Sequence, residues 1–198
     1  ILIILSLVTF GFTMTVLSLT LHVKITPSTN FGESIEGAVP PWYWLGIAIM
    51  IAAISYMLTR LDAKKMRTPF LISCVMLIFS MRSVLAILSP FPPVQDTWGG
   101  IYITASWRKY GLFSPEGLAL LRSGYVRAWP ASFILAFWIS STGIPVYTFY
   151  QWAPTVIFVL DLITIYFLFM ELANEKIGLI SAFLFTLLNT NSFFPLHY

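Results

Sequence analysis

Long apolar stretches separated by short polar ones dominate this 198-residue sequence. The first three run from Ile1 to about Val23, from Pro41 to about Thr59 and from about Thr68 to Leu88. Each is predicted as a transmembrane helix, because about 20 apolar helical residues cross a hydrocarbon core of roughly 30 Å. The alternating ten-residue pattern of a membrane barrel is not seen. A helical bundle is therefore predicted, since helices satisfy all their backbone groups inside lipid.

Three further apolar stretches follow a long interruption, at 129–150, 153–170 and 176–193. Gly143 and Pro145 break the first of them, which is therefore either a full span or a short re-entrant helix at the external face. The predicted fold class is all-α, a polytopic transmembrane helical bundle of about six apolar helices with one long external loop that carries interfacial helices.

The polar connections predict how the helices are oriented. The stretch 60–67 carries four basic residues against Asp62 and is short enough to count in the positive-inside rule, so it is assigned to the cytoplasm. The acidic loop 24–39 and the segment from Pro90 to Pro130 are then external. The predicted organisation is three helices in 1–89, an external loop at 90–128 and further transmembrane helices in 129–198. The chain begins inside an apolar stretch, and we expect it to be a fragment, truncated at the C-terminus.

The composition supports a multi-pass protein of the cell membrane. Hydrophobic residues make up 58% of the chain and charged residues 10%, whereas soluble proteins are roughly a quarter charged. The net charge of +3 is attributed to cytoplasmic loops rather than to a nucleic-acid partner, because no nucleic-acid signature occurs. Cys74 is the single cysteine, so the sequence holds neither a disulfide framework nor a cysteine metal site.

The external segment is predicted to contain two short helices. The first follows Asp96 and is amphipathic, with its apolar and aromatic positions at helical spacing and Gly111 as its stop; those positions are Trp98, Ile101, Tyr102, Ala105 and Tyr110. The second is predicted from Pro115 to about Gly124, with Ser114 as its N-cap. Long loops with structure of their own are usually functional, so this segment is where we expect chemistry.

From about residue 88 onward the order of features resembles the polytopic GT-C glycosyltransferases, which use lipid-phosphate-linked sugars. They include the dolichyl-phosphate-mannose protein mannosyltransferases, the aminoarabinose transferases and the catalytic subunits of oligosaccharyltransferases. The matching features are an acid just after a span, an interfacial helix, an aromatic–proline helix start, and two apolar runs joined by a short polar turn; they stand at Asp96, 97–113, 125–130 and 172–178. The family's second acidic motif is expected soon after the last predicted helix.

The resemblance implies a function and a site. It implies transfer of a sugar from a polyprenyl-phosphate donor to an external acceptor, with Asp96 as the catalytic base and with a divalent metal, Mg or Mn, as a cofactor in some members. A carboxylate within hydrogen-bond reach can activate an acceptor hydroxyl. Basic side chains can hold the lipid phosphate, arginine bidentately; the candidates are Arg108, Lys109, Arg122 and Arg127.

Plainer interpretations stand beside this one. Asp96 is equally suited to cap the helix that follows it, and the basic residues to attract anionic headgroups. Arg82 and Asp161 lie inside predicted spans, where charges face the bundle or a polar path. The alternative function is a non-catalytic transmembrane subunit or scaffold of a larger membrane complex. A transporter ranks third, because no paired broken helices are present.

Overall fold

The computed structural model describes residues 2–21, 39–60, 62–88, 95–111, 113–121 and 130–188. This part of the chain is helical and contains no strand. Its helices are α1 (Leu2–Leu21), α2 (Pro41–Arg60), α3 (Ala63–Leu88), α4 (Gln95–Tyr110), α5 (Pro115–Leu121), α6 (Pro130–Ser141), α7 (Val146–Leu172) and α8 (Glu175–Leu188). The prediction of an all-α protein is confirmed.

Four of these helices are long and apolar enough to cross a membrane. They are α1, α2, the Lys64–Val84 portion of α3, and α7. The protein is therefore a membrane protein, and the prediction of a transmembrane helical bundle is confirmed. Over their described residues α6 and α8 have 12 and 14 residues, fewer than the roughly 20 that span a bilayer. The described residues thus provide four spanning helices where the sequence predicted about six.

The chain forms two compact units, residues 1–88 with 155–198 and residues 89–154. The first unit contains α1, α2, α3, α8 and most of α7, and the second contains α4, α5, α6 and the start of α7. The main apolar core belongs to the first unit, where it collects fully buried side chains from α2 and α3 such as Met50, Ile54, Phe70 and Leu77.

Helix α3 begins at Ala63, so most of the basic stretch predicted as a loop is helical. Asp62 starts the helix by accepting hydrogen bonds from two backbone amides, that of Lys64 at its side-chain Oδ1 (3.2 Å) and that of Met66 at its carbonyl (3.1 Å). Lysine, arginine and methionine are good helix formers, and nothing before Pro69 interrupts them. The charge pattern is unchanged, but it lies on the first turns of a helix.

Helices α1 and α2 cross at two glycines. A Cβ atom at Gly46 would lie 2.6 Å from the carbonyl oxygen of Gly11, and one at Gly11 would lie 2.7 Å from that of Gly46. The same crossing brings Gly46 beside Thr15 and Gly11 beside Met50, so the two helices run antiparallel. Small residues are the usual means by which transmembrane backbones approach this closely.

A buried polar cluster joins α1, α2 and α3. The hydroxyl oxygens of Thr15 and Ser80 lie 3.0 Å apart, and the Tyr43 hydroxyl donates to the Ser80 carbonyl at 3.2 Å. Interhelical hydrogen bonds of this kind add to packing inside lipid, where no water competes for the groups. This cluster fixes which faces of the three helices meet.

Candidate functional site in the segment between α3 and α7

Trp107 organises the second unit. Its indole is fully buried, and Nε1 donates a hydrogen bond to the Gly117 carbonyl at 3.2 Å. The ring meets Phe137 edge to face, with centroids 6.3 Å apart at 81°. Edge-to-face contact is a favoured geometry for aromatic ring pairs. One side chain of α4 therefore holds α5 by a hydrogen bond and α6 by an aromatic contact.

The turn between α4 and α5 is set by local sequence signals. Gly111 has φ +88° and donates its amide to the Trp107 carbonyl at 2.9 Å, a left-handed helix cap that glycine adopts without steric cost. Ser114 then caps α5, because its Oγ accepts from the Gly117 amide at 3.0 Å. The predicted stop at Gly111 and start at Pro115 are both confirmed, the second helix being described as far as Leu121.

One face of α4 packs inside the second unit. Among its described side chains the buried ones are Gly100, Ile103, Thr104 and Trp107, which follow the spacing i, i+3, i+4 and i+7 of a helix face. Tyr102, Ala105 and Tyr110, which belong to the predicted apolar set, are exposed, Tyr102 by 67%. An interfacial helix presents apolar side chains to lipid, so the amphipathic interfacial helix stays a prediction.

The structure brings together some of the predicted site residues. Arg108 and Lys109 are exposed neighbours in the last turn of α4, and Lys109 Nζ lies 4.9 Å from the centroid of the Tyr110 ring. Cations are favourable at this end of a helix, where the dipole is negative. Asp96 belongs to the first turn of the same helix. Twelve residues at 1.5 Å each put it about 18 Å along the axis from Arg108.

The other predicted binding residues, Arg122 and Arg127, lie outside the described residues. Among the side chains that the structure describes, no three His, Cys, Asp or Glu residues are grouped closely enough to hold a metal ion. The Asp96 side chain lies outside the described ones, and a divalent metal there stays a prediction.

The directions of the helices in the first unit show at which end of the bundle the segment between α3 and α7 begins and ends. Near one end of the unit Arg67 of α3 meets Glu175 of α8, and further along Phe70 meets Phe183, so α3 and α8 run parallel. In contrast, α7 runs antiparallel to α3. Its Phe158 lies under Arg82 near the far end of α3, while the later residue Tyr166 bonds to Glu175, the partner of Arg67 near the start of α3. The segment between α3 and α7 therefore starts and finishes at the same end of the bundle.

The stretch 129–150 is interrupted within the second unit. The helix breaks at Gly143, which has φ +97°, and the described residues of α6, 130–141, extend about 18 Å. Residues 122–129 lie outside the described residues, so the full span and the short re-entrant helix both stay predictions for this stretch.

A cluster at the start of α3 and α8 was missed by sequence reasoning. Arg67 Nε lies 3.8 Å from Glu175 Oε1, and the hydroxyl of buried Tyr166 donates to the same oxygen at 3.2 Å. Three helices meet at this carboxylate. The charges at 67 and 175 were visible in the sequence, but their pairing depends on how α3 and α8 pack together within the first unit.

Arg82 and Asp161 are charged residues away from the ends of the membrane-spanning helices, and they differ in their surroundings. The Arg82 guanidinium is half-buried and stacks over the Phe158 ring at 3.7 Å, a cation–π contact that satisfies part of its charge. Asp161 is exposed on α7. Within the part of the chain that the structure describes it makes no hydrogen bond or ion pair.

No protein-family model matches this chain, and no curated protein or solved structure matches it either.

Proposed function

We propose that this protein is an integral membrane glycosyltransferase of the GT-C type, which transfers a sugar from a polyprenyl-phosphate donor to an acceptor outside the cell membrane. The observation that carries the proposal is the direction of three helices. The C-terminal ends of α3 and α8 point to the same end of the bundle. In the GT-C family that the sequence resembles, one acidic motif is expected after α3 and a second after α8. The two motifs must face the same side of the membrane.

Asp96 is proposed as the general base. It follows α3 in the chain and belongs to the first turn of α4, a helix that Trp107 anchors to α5 and α6. A fixed helix is a suitable support for a carboxylate that must hold one position against an acceptor hydroxyl, because proton transfer requires hydrogen-bond distance.

Arg108 and Lys109 are proposed to act on the donor rather than on the acceptor. The axial separation of about 18 Å is beyond the reach of a carboxylate at Asp96, so the two ends of α4 serve different groups. Two exposed cations beside exposed Tyr102 and Tyr110 suit the headgroup region, where anionic phosphates are attracted and tyrosine rings are enriched. Arg122 and Arg127 remain candidates for the phosphate of the bound donor.

The test is sugar transfer in membranes that contain the full-length protein, supplied with radiolabelled polyprenyl-phosphate sugars. Asp96→Asn is expected to lower kcat by about 10²-fold or more, the usual contribution of a general base. Glu116→Gln is the matched control, an exposed acid in the same unit, and should leave transfer unchanged. Removing both Arg108 and Lys109 should raise KM for the donor and leave kcat intact.

The same assay distinguishes the alternative of a non-catalytic subunit. If the native protein consumes none of the donors, or if Asp96→Asn transfers sugar as well as Glu116→Gln, the base assignment fails and the subunit function replaces it. Expression of each variant is measured beside activity, so that loss of protein is not counted as loss of chemistry.

A further inference from the structure

One exposed face of α7 carries a regular stripe of five residues, of which Asp161, Thr164 and Glu171 are polar. Ile157, Asp161, Thr164, Leu168 and Glu171 recur at alternating intervals of four and three residues, and all five are exposed. That interval is the heptad spacing with which one helix packs along another. Other exposed large side chains in this part of α7 lie off the stripe and are apolar; they include Val156, Leu160, Ile163 and Phe167.

Asp161 lies deep in the membrane-spanning part of α7. It is about 16 Å along the axis from Leu172 and about 22 Å from Val146, at 1.5 Å per residue. The buried residues Leu162 and Tyr166 face the core of the first unit from the opposite side of the helix. A carboxylate at this depth that faces hydrocarbon is costly, and such residues normally pair with a second polar group.

A second copy of this chain is a poor partner for the stripe. Its mid-span cation is Arg82, which is half-buried against Phe158 of its own α7. Two copies that met stripe to stripe would also place the acids at Asp161 and Glu171 near their own equivalents, where like charges repel. The two acids instead complement basic side chains on a different helix.

We propose that the stripe on α7 is a docking surface for a transmembrane helix of a separate membrane protein, which carries a lysine or arginine at the depth of Asp161. The basic side chain pairs with the Asp161 carboxylate, and Thr164 lies one turn away on the same face. Polar contacts of this kind fix register and partner choice in helix pairs. The surface lies on α7 and is independent of the proposed transferase chemistry.

The experiment uses the full-length protein in its native membranes, with a photo-crosslinking amino acid at Leu168 or, as the matched control, at Phe167. These neighbours have the same depth and nearly the same exposure, 52% and 50%, but only Leu168 belongs to the stripe. We expect a protein adduct from Leu168 and only background from Phe167. Peptide mapping of the adduct should identify a transmembrane segment with a lysine or arginine in its middle third.

Substitution of Asp161 then tests whether its carboxylate is needed for the docking of the partner helix. Asp161→Leu should abolish the Leu168 adduct, and Asp161→Glu should retain it, while the amount of protein in the membrane stays the same. Four results would overturn the proposal. They are equal adducts from Leu168 and Phe167, an adduct that survives Asp161→Leu, an adduct with a second copy or with another segment of this chain, and a partner segment without a basic residue.

Discussion

Arg67 and Glu175 form an ion pair across the first turns of two parallel helices, with Arg67 Nε 3.8 Å from Glu175 Oε1. Arg67 is half-exposed, and ion pairs of this kind contribute less than about 1 kcal/mol. The pair matters because it shows which helix ends are neighbours. It places the start of α8 beside the start of α3, so α7, which precedes α8 in the chain, also ends near the start of α3.

The crossing of α1 and α2 should tolerate no side chain at its glycines. Gly46→Ala would place a Cβ atom against the Gly11 backbone, where the contact cannot be relieved by rotation of a side chain. We expect the free energy of unfolding to fall by about 1–3 kcal/mol, as for other overpacked sites. The measurement is unfolding in mixed detergent micelles.

The control for this change is Ala48→Leu, on the exposed face of the same helix. It should alter the free energy of unfolding by no more than about 0.5 kcal/mol, as for most surface positions. Equal effects of Gly46→Ala and Ala48→Leu would show that α1 and α2 do not meet at these glycines.

The buried hydrogen bond between Thr15 and Ser80 should be measurable as a coupling energy. A double-mutant cycle with Thr15→Val and Ser80→Ala is expected to give about 0.6 kcal/mol, the mean for interhelical hydrogen bonds in a membrane protein. The same cycle with Ser6→Ala in place of Ser80→Ala serves as the control, because the Ser6 hydroxyl donates to the Leu2 carbonyl of its own helix. A coupling energy no larger than in that control would argue against contact between α1 and α3 at Thr15 and Ser80.

Trp107 should be far more important to the second unit than the neighbouring tryptophan of α6. Trp107→Ala removes the bond to Gly117 and the contact with Phe137, and should cost about 3–5 kcal/mol. Trp138→Ala removes a ring that is 68% exposed and should cost much less. Limited proteolysis in the segments 89–94 and 122–129, which flank α4 and α5 in the chain, would report the difference, and similar cleavage of both variants would contradict it.

The spans and the local caps could be predicted from the sequence, because each depends on residues close together in the chain. Hydropathy located α1, α2, α3 and α7, while Gly111 and Ser114 marked a stop and a start through their own backbone and hydroxyl chemistry. The predicted start of α3 at Thr68 was late. The hydrogen bonds to Asp62 start the helix before the basic residues, so these residues are helical. The prediction used their charges and overlooked Asp62 as a helix cap.

The features that could not be predicted from the sequence depend on contacts between distant segments of the chain. The apolar faces of α4 are alike in composition, so nothing local distinguishes Trp107, which is buried, from Tyr102, which is exposed. The pairing of Arg67 with Glu175 and the exposure of Asp161 both depend on how α7 and α8 enter the bundle.

The most direct test of this account is the sidedness of three exposed positions in the full-length protein. Single cysteines replace Lys64, Lys176 or Phe113, and a membrane-impermeant maleimide is applied to intact cells and to inverted vesicles; the native Cys74 is buried and should contribute little background. We predict that Lys64→Cys and Lys176→Cys are labelled from the same side and Phe113→Cys from the opposite side. Labelling of Lys176→Cys and Phe113→Cys from one side would contradict the helix directions and remove the support for the proposed transferase.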